Sequence, residues 1–175
     1  MGRLHSTVLF DWGDTVMKDD PALSVPMVEW EAVQAVEGIH EVLDYLSASG
    51  RRCILATSAE ISDEGQIRGA LARVNLSQYF EHIYCFKNTR LPKGEAFYLH
   101  ILRDLELPAS DTLMVGDHYE KDVLIPNRLG MHAVWFNPHS QEKREAAMHR
   151  TVHSMKELLD FWRSLDMDGG METHA

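Results

Sequence analysis

The sequence is poor in basic residues, in cysteine and in long apolar runs, and each shortage excludes a class of function. Lys and Arg number 17 against 27 Asp and Glu, for a formal charge of -10 with His neutral. A chain this acidic repels nucleic-acid backbones, and Lys/Arg residues form no cluster beyond short pairs such as Arg51-Arg52. Nucleic acid is therefore not expected as a partner. No stretch approaches the roughly 20 apolar residues that cross a bilayer. The N-terminal apolar run Val8-Leu9-Phe10 ends at Asp11, short of the roughly 7 to 15 residues of a signal peptide. No membrane partner is expected, and cytoplasmic residence is. The two cysteines, Cys53 and Cys85, lie inside apolar runs and read as buried thiols rather than a disulfide or a metal pair.

What the chain does have is a regular alternation. Its 175 residues, 45% hydrophobic and 25% charged, suffice for one domain with a core, expected over residues 1–165 with a C-terminal tail at 166–175. Short β-type runs are expected at Thr7–Phe10, Cys53–Ala56, Ile83–Phe86, Leu113–Val115 and Ala133–Phe136. Between them, helical spacing predicts helices near Gly38–Ala48, Asp63–Arg73, Glu95–Leu105, Tyr119–Leu129 and Met155–Leu165. Gly65 and Gly69 weaken the second of these and Pro126 lies in the path of the fourth. Strands alternating with helices predict a doubly wound, Rossmann-like α/β domain: three layers around a mainly parallel sheet. In such sheets ligands gather at the carboxyl ends of the strands. Three predicted strands end there on Asp11, Thr57 and Asp117. Two carboxylates and a hydroxyl at one edge build a site for a cation, because close carboxylates repel until a divalent ion joins them.

Two segments make the reading specific. Val8-Leu9-Phe10-Asp11-Trp12-Gly13-Asp14-Thr15-Val16 resembles the first motif of the haloacid dehalogenase-like hydrolase superfamily, an apolar strand followed by Asp-x-Asp-Gly-Thr. Val115-Gly116-Asp117-His118-Tyr119-Glu120-Lys121-Asp122-Val123 resembles its fourth motif. Thr57 fits the second motif and Lys93 the third, although Lys87 and Arg90 compete with Lys93 for the part. The resemblance spans residues 7–137 in the family's order.

The resemblance implies a magnesium-dependent phosphatase. Asp11 would attack phosphorus and form an aspartyl-phosphate that water then hydrolyses. Mg2+ would be held by Asp11, the Gly13 carbonyl and Asp117, with Asp122 holding a metal-bound water or Lys93. Thr57, Ser58 and Lys93 would bind the phosphoryl group. The chain departs from the family at position 13, where phosphatases carry the Asp that protonates the leaving oxygen. Here Gly13 stands in its place and Asp14 follows. Adjacent side chains on extended backbone point in opposite directions, so Asp14 can substitute only through an irregular turn. A missing acid predicts a bias toward good leaving groups.

Two alternatives stay open. One is a phosphate-sensing or protein-interaction module that keeps the metal site without turnover. The other is a metal-free, dehalogenase-type hydrolase. About 20 residues separate Thr15 from the helix near Gly38, too few for a large cap domain. Residues 17–37, with Pro21, Pro26, Met27 and Trp30, are expected to form a small flap or a loop pinned by Trp30. An open site suits a bulky phosphorylated substrate, or one enclosed by a second copy in a homo-oligomer.

Overall fold

The computed structural model describes residues 4–168. Six strands form one sheet: β1 (Thr7–Phe10), β2 (Arg52–Ala56), β3 (Phe80–Tyr84), β4 (Thr112–Gly116), β5 (His132–Phe136) and β6 (His149–Val152). Their order is β3-β2-β1-β4-β5-β6, and every pairing is parallel. Chain direction across the sheet reverses beside β1, so β1 lies between β2 and β4. That is the switch point at which doubly wound sheets open a crevice.

Both faces of the sheet are covered, which is why its central strands β1 and β4 read as unbroken apolar runs rather than alternating ones. Val8 and Phe10 of β1, with Leu113 and Val115 of β4, pack beneath α1 (Ile39–Ala48), α2 (Glu64–Ala72) and α6 (Met155–Asp168). Leu9 and Met114 face the other way, against α4 (Glu95–Asp104) and α5 (Ile125–Arg128). α1 buries Ile39, Val42, Leu43 and Leu46, one face at helical spacing. α2 starts at a reciprocal cap, in which Asp63 accepts from the Gln66 N–H and Gln66 accepts from the Asp63 N–H.

The elements depart from the sequence expectations in four places. The third strand starts earlier, at Phe80, and ends at Tyr84; Cys85 instead caps the short helix α3 (Phe86–Thr89). Glu81 and His82 hide the strand in the sequence, yet an edge strand tolerates them, and Arg52 pairs with Glu81. The sixth strand was not expected: His149-Arg150-Thr151-Val152 is too short and polar to show a period, and only pairing with β5 makes it a strand. The predicted helix over Tyr119–Leu129 is split into a wide π-helical turn at Tyr119–Leu124 and then α5. Pro126 enters directly after that turn, where the altered bonding pattern accommodates a residue with no N–H. α6 continues to Asp168, and Asp166 pairs with the buried Arg51, so residues 166–168 belong to the helix. The remainder of the expected tail lies outside the described residues. Both cysteines are buried free thiols, and burial pushes the Cys53 thiol up to about 12. No helix among the described residues is long and apolar enough to cross a membrane.

Residues 17–37 fold back on the sheet edge as a flap. Met17 bridges Ala35 in antiparallel fashion, the Lys18 N–H donates to Gln34 and the Val36 N–H to Val16. A 3-10 turn at Met27–Glu29 buries Met27 and rests on α2. Gly69, a weakness for the helix in the sequence, is the contact point: a Cβ there would lie 2.8 Å from Val28 Cγ2. Arg73 clamps the flap by donating to the carbonyls of Val28, Trp30 and Glu31. The Trp30 indole donates to the Val25 carbonyl.

Candidate active site

Parallel pairing of β1 with β4 puts Phe10 opposite Val115, so the residues just past both strands meet. The Asp11 N–H extends the ladder by donating to the Val115 carbonyl at 2.9 Å. Asp11 and Asp117, more than a hundred residues apart, thereby share one edge. Asp122 returns to the same place on the π-helical turn. Carboxylate oxygens of Asp11, Asp117 and Asp122 lie within 4.8 Å of one another. Gly116 makes this possible, because a Cβ there would overlap the Asp122 carboxylate.

Lys93 stands between two of these acids. Its Nζ is 2.9 Å from Asp11 Oδ1 and 2.5 Å from Asp122 Oδ1, with the lysine side chain 2% exposed. Lys87 and Arg90, the sequence's other candidates, are exposed. Burial alone would lower the Lys93 pKa, but the charges of Asp11 and Asp122 override it and hold the ammonium above its ordinary value. Asp122 is raised by burial, with Lys93 and the His118 N–H opposing. Asp117 is pushed up to about 8, first by burial, then by its hydrogen bond with Asp11 and the charges of Asp11 and Asp122.

Three carboxyl groups share one ammonium, and they repel one another as carboxylates until a further cation joins them. Hard oxygen donors so arranged fit a divalent cation of the magnesium type. The Gly13 carbonyl accepts no backbone hydrogen bond among the described residues, so a further oxygen is free beside them. The donor set therefore fits the ion that the sequence resemblance implies.

Thr57 continues β2 by one residue, its N–H donating to the Tyr84 carbonyl. Its Oγ1 accepts from the Ala59 N–H at 3.1 Å, which leaves the hydroxyl hydrogen to donate elsewhere. Thr57 is buried and Ser58 exposed, and both line a cleft of about 310 Å³ with Asp11 and Gly13. The flap supplies the facing wall through Val25, Met27 and Trp30. A larger surface cavity of about 780 Å³ lies beside β6 and α6 and is lined by none of the three aspartates.

Asp14 does not enter this cleft. It adopts φ +58° and accepts from the Asp19 N–H at 3.0 Å. The irregular turn that could have aimed Asp14 at the site aims it at the flap instead. His118, beside Asp117, accepts from the Lys121 N–H and caps the π-helical turn.

Three residues at the site were not singled out from the sequence. Thr15 is buried and its hydroxyl donates to Asp117 at 3.4 Å; it belongs to the first motif, so the motif could have pointed to it. Tyr98 donates to the Lys121 carbonyl at 2.8 Å and lies 3.5 Å from Asp122 Oδ1, on a helix whose apolar period marks it only as core. Asp19 lines the cleft from the flap, with burial of its carboxyl, chiefly, and nearby acids raising its pKa. No local pattern identifies it.

Comparison with known proteins agrees with this architecture. The pattern of the family described as haloacid dehalogenase-like hydrolase matches residues 24–136, well over half of the chain and including Thr57, Lys93, Asp117 and Asp122. Pyrimidine 5'-nucleotidase PynA of Streptococcus pneumoniae (strain ATCC BAA-255 / R6) is 29% identical over 130 residues. The aligned part is 73% of this chain and 54% of that protein, so the chain spans about half the length of this curated relative. Among solved structures, an uncharacterized protein from Listeria monocytogenes serotype 4b superposes with a TM-score of 0.78 at 20% identity, covering 92% of this chain and 98% of that one. A HAD phosphatase from Thermococcus onnurineus superposes with a TM-score of 0.71 at 18% identity, covering 89% and 96%. With the family pattern matched over residues 24–136, from the flap through β5 and including Asp117 and Asp122, the chain belongs to the haloacid dehalogenase-like hydrolases.

Proposed function

We propose that the chain is a phosphomonoester hydrolase with Asp11 as the nucleophile. The observation that carries this reading is the buried Asp11–Lys93–Asp122 chain of contacts, with Asp117 alongside and the cleft open above. A carboxylate attacks an anionic phosphoryl group only where the charge of both is offset. Lys93 holds Asp11 in place and opposes its charge; Asp122 fixes Lys93. Asp11 attacks phosphorus in line and becomes an aspartyl-phosphate, which water then hydrolyses to phosphate and free carboxylate. The Thr57 hydroxyl donates to a phosphoryl oxygen, and Ser58 is within the same cleft. Asp11, Asp117 and the Gly13 carbonyl would hold Mg2+, with Asp122 orienting a bound water. When bound, the ion supplies Lewis-acid stabilisation of the phosphoryl charge.

The cleft mouth supports a reading of the substrate class. Leu23, Val25 and Ile61, each more than 40% exposed, all line it. An apolar rim above an anionic floor suits a phosphate ester with an apolar or aromatic body, and no large cap domain covers it among the described residues. The relation to a pyrimidine 5'-nucleotidase makes nucleoside monophosphates the first substrates to assay. Turnover of p-nitrophenyl phosphate with Mg2+ is expected to fall by about 10³-fold or more in Asp11→Asn and to stop with a chelator. Retained metal-dependent turnover in that variant would show the nucleophile to be wrong.

Gly13 favours a second reading, a phosphate-sensing module without turnover. Binding of fluoroberyllate in the absence of any hydrolysis would select it. A dehalogenase-type reaction would proceed despite the chelator.

A further inference from the structure

The first motif lacks an acid at position 13, and the fold brings a different one there. After Asp11 the backbone closes tightly, the Trp12 carbonyl accepting from the N–H groups of Thr15, Val16 and Met17. Met17 then pairs with Gly13, and the chain turns back over the glycine. Asp19 arrives where a side chain at position 13 would begin: a Cβ built on Gly13 would lie 3.2 Å from Asp19 Oδ2 and 3.4 Å from its Cβ and Cγ.

Asp19 is also held in that pose. Asp14 accepts from its N–H at 3.0 Å, and its own Oδ1 accepts from the Asp20 N–H at 2.9 Å. Oδ2, the oxygen over Gly13, accepts no hydrogen bond among the described residues. Asp19 shares the cleft with Asp11, Gly13 and Thr57. Gly13 leaves room for this arrangement, since a side chain at 13 would crowd Asp19 and make it give by a few tenths of an ångström.

We propose that Asp19, carried on the flap and folded back over Gly13, is the general acid and base of the reaction. This rests on Asp11 acting as the nucleophile. In the first step Asp11 forms a bond to phosphorus, the bond from phosphorus to the ester oxygen breaks, and that oxygen takes the Asp19 proton. In the second, the Asp19 carboxylate takes a proton from water as the water oxygen attacks phosphorus. The bond to Asp11 then breaks and phosphate leaves. Atoms and protons balance, and Asp19 ends as it began. Asp14 is a positioning residue for Asp19 rather than a substitute for it.

The test compares esters of an acidic phenol and of an alkanol, p-nitrophenyl phosphate and ethyl phosphate. A phenolate departs without help, whereas an alkoxide needs a proton. Asp19→Asn is expected to lower kcat/KM for ethyl phosphate by about 10²–10⁴-fold and for p-nitrophenyl phosphate by less than about tenfold. It should also release a stoichiometric burst of nitrophenol, because the base for the second step is lost. Gly13→Asp combined with Asp19→Ala, which opens room for the new side chain, should regain about tenfold or more on ethyl phosphate. Equal losses on both esters, or no loss on either, would overturn the assignment while leaving Asp11 as the nucleophile. Absence of Asp11-dependent turnover of both esters by the unaltered protein would overturn the two together.

Discussion

Replacing Lys93 by methionine keeps the length of the buried side chain and removes the ammonium between Asp11 and Asp122. In the intact site the Asp122 side chain is fully buried and its contact with Nζ is 2.5 Å. Without Lys93, the charge that opposes the upward shift of Asp122 is gone, so the buried Asp122 carboxyl holds its proton more tightly in the folded variant. The unfolded chain releases that proton near the ordinary value of 3.8. Removing one partner of a buried pair of this kind costs about 3–5 kcal/mol, because the other is left without its counter-charge. The sign follows from the tighter hold on that proton in the folded state: the penalty grows as pH rises and shrinks as pH falls. Urea unfolding followed by tryptophan fluorescence measures it, with no divalent cation present so that binding does not restore stability. Adding Asp122→Asn to the variant should recover half or more of the loss at pH 7. A loss under about 1 kcal/mol at pH 7, or one that does not change with pH, would refute the reasoning.

The remaining predictions concern the supporting structure. Gly116→Ala forces a methyl group onto the Asp122 carboxylate; stability should fall by about 1–3 kcal/mol, read as a lower urea midpoint, with hydrolysis falling in parallel. His5 is buried against His132, ring centroids 4.5 Å apart; burial first, then the charges of His132 and Arg51, lower it to about 4. Unfolded His5 takes up a proton that the folded form refuses, so its stabilising contribution is lost as pH falls from 6.5 to about 4. The loss is at most about 3 kcal/mol, and roughly half that after solvent screening. Chemical denaturation across this window should show a steeper acid limb than in His5→Leu.

The strands at Thr7–Phe10 and Thr112–Gly116 were legible because both are central and apolar on both faces, so continuous hydrophobic runs mark them. The flanking strands were harder to read. Glu81 and His82 shifted the apparent third strand toward Cys85, and His149–Val152 left no periodic trace. Edge strands owe their state to a single neighbour, and pairing is not encoded in a four-residue window. The aspartates of the site were visible for the same reason as their strands: Asp11 and Asp117 interrupt apolar runs at points where acids would otherwise be costly. Thr57 stood out in the same way. Lys93 could not be separated from Lys87 and Arg90, since all three are cations in one loop region. Only the packing that buries Lys93 between Asp11 and Asp122 distinguishes it.

Position 13 shows where reading along the chain ends. The sequence alone determined the α/β class and the carboxylates at two strand ends. These are properties of local pattern, since burial of a strand and the chemistry at its end are written in consecutive residues. The tertiary structure decided that Asp14 turns away to hold the Asp19 backbone, that Asp19 lies over Gly13, and that a lysine joins two acids distant in the chain. Each depends on backbone closure and on contacts between segments, and the free energy of such contacts exists only once the sheet edge and the flap are built.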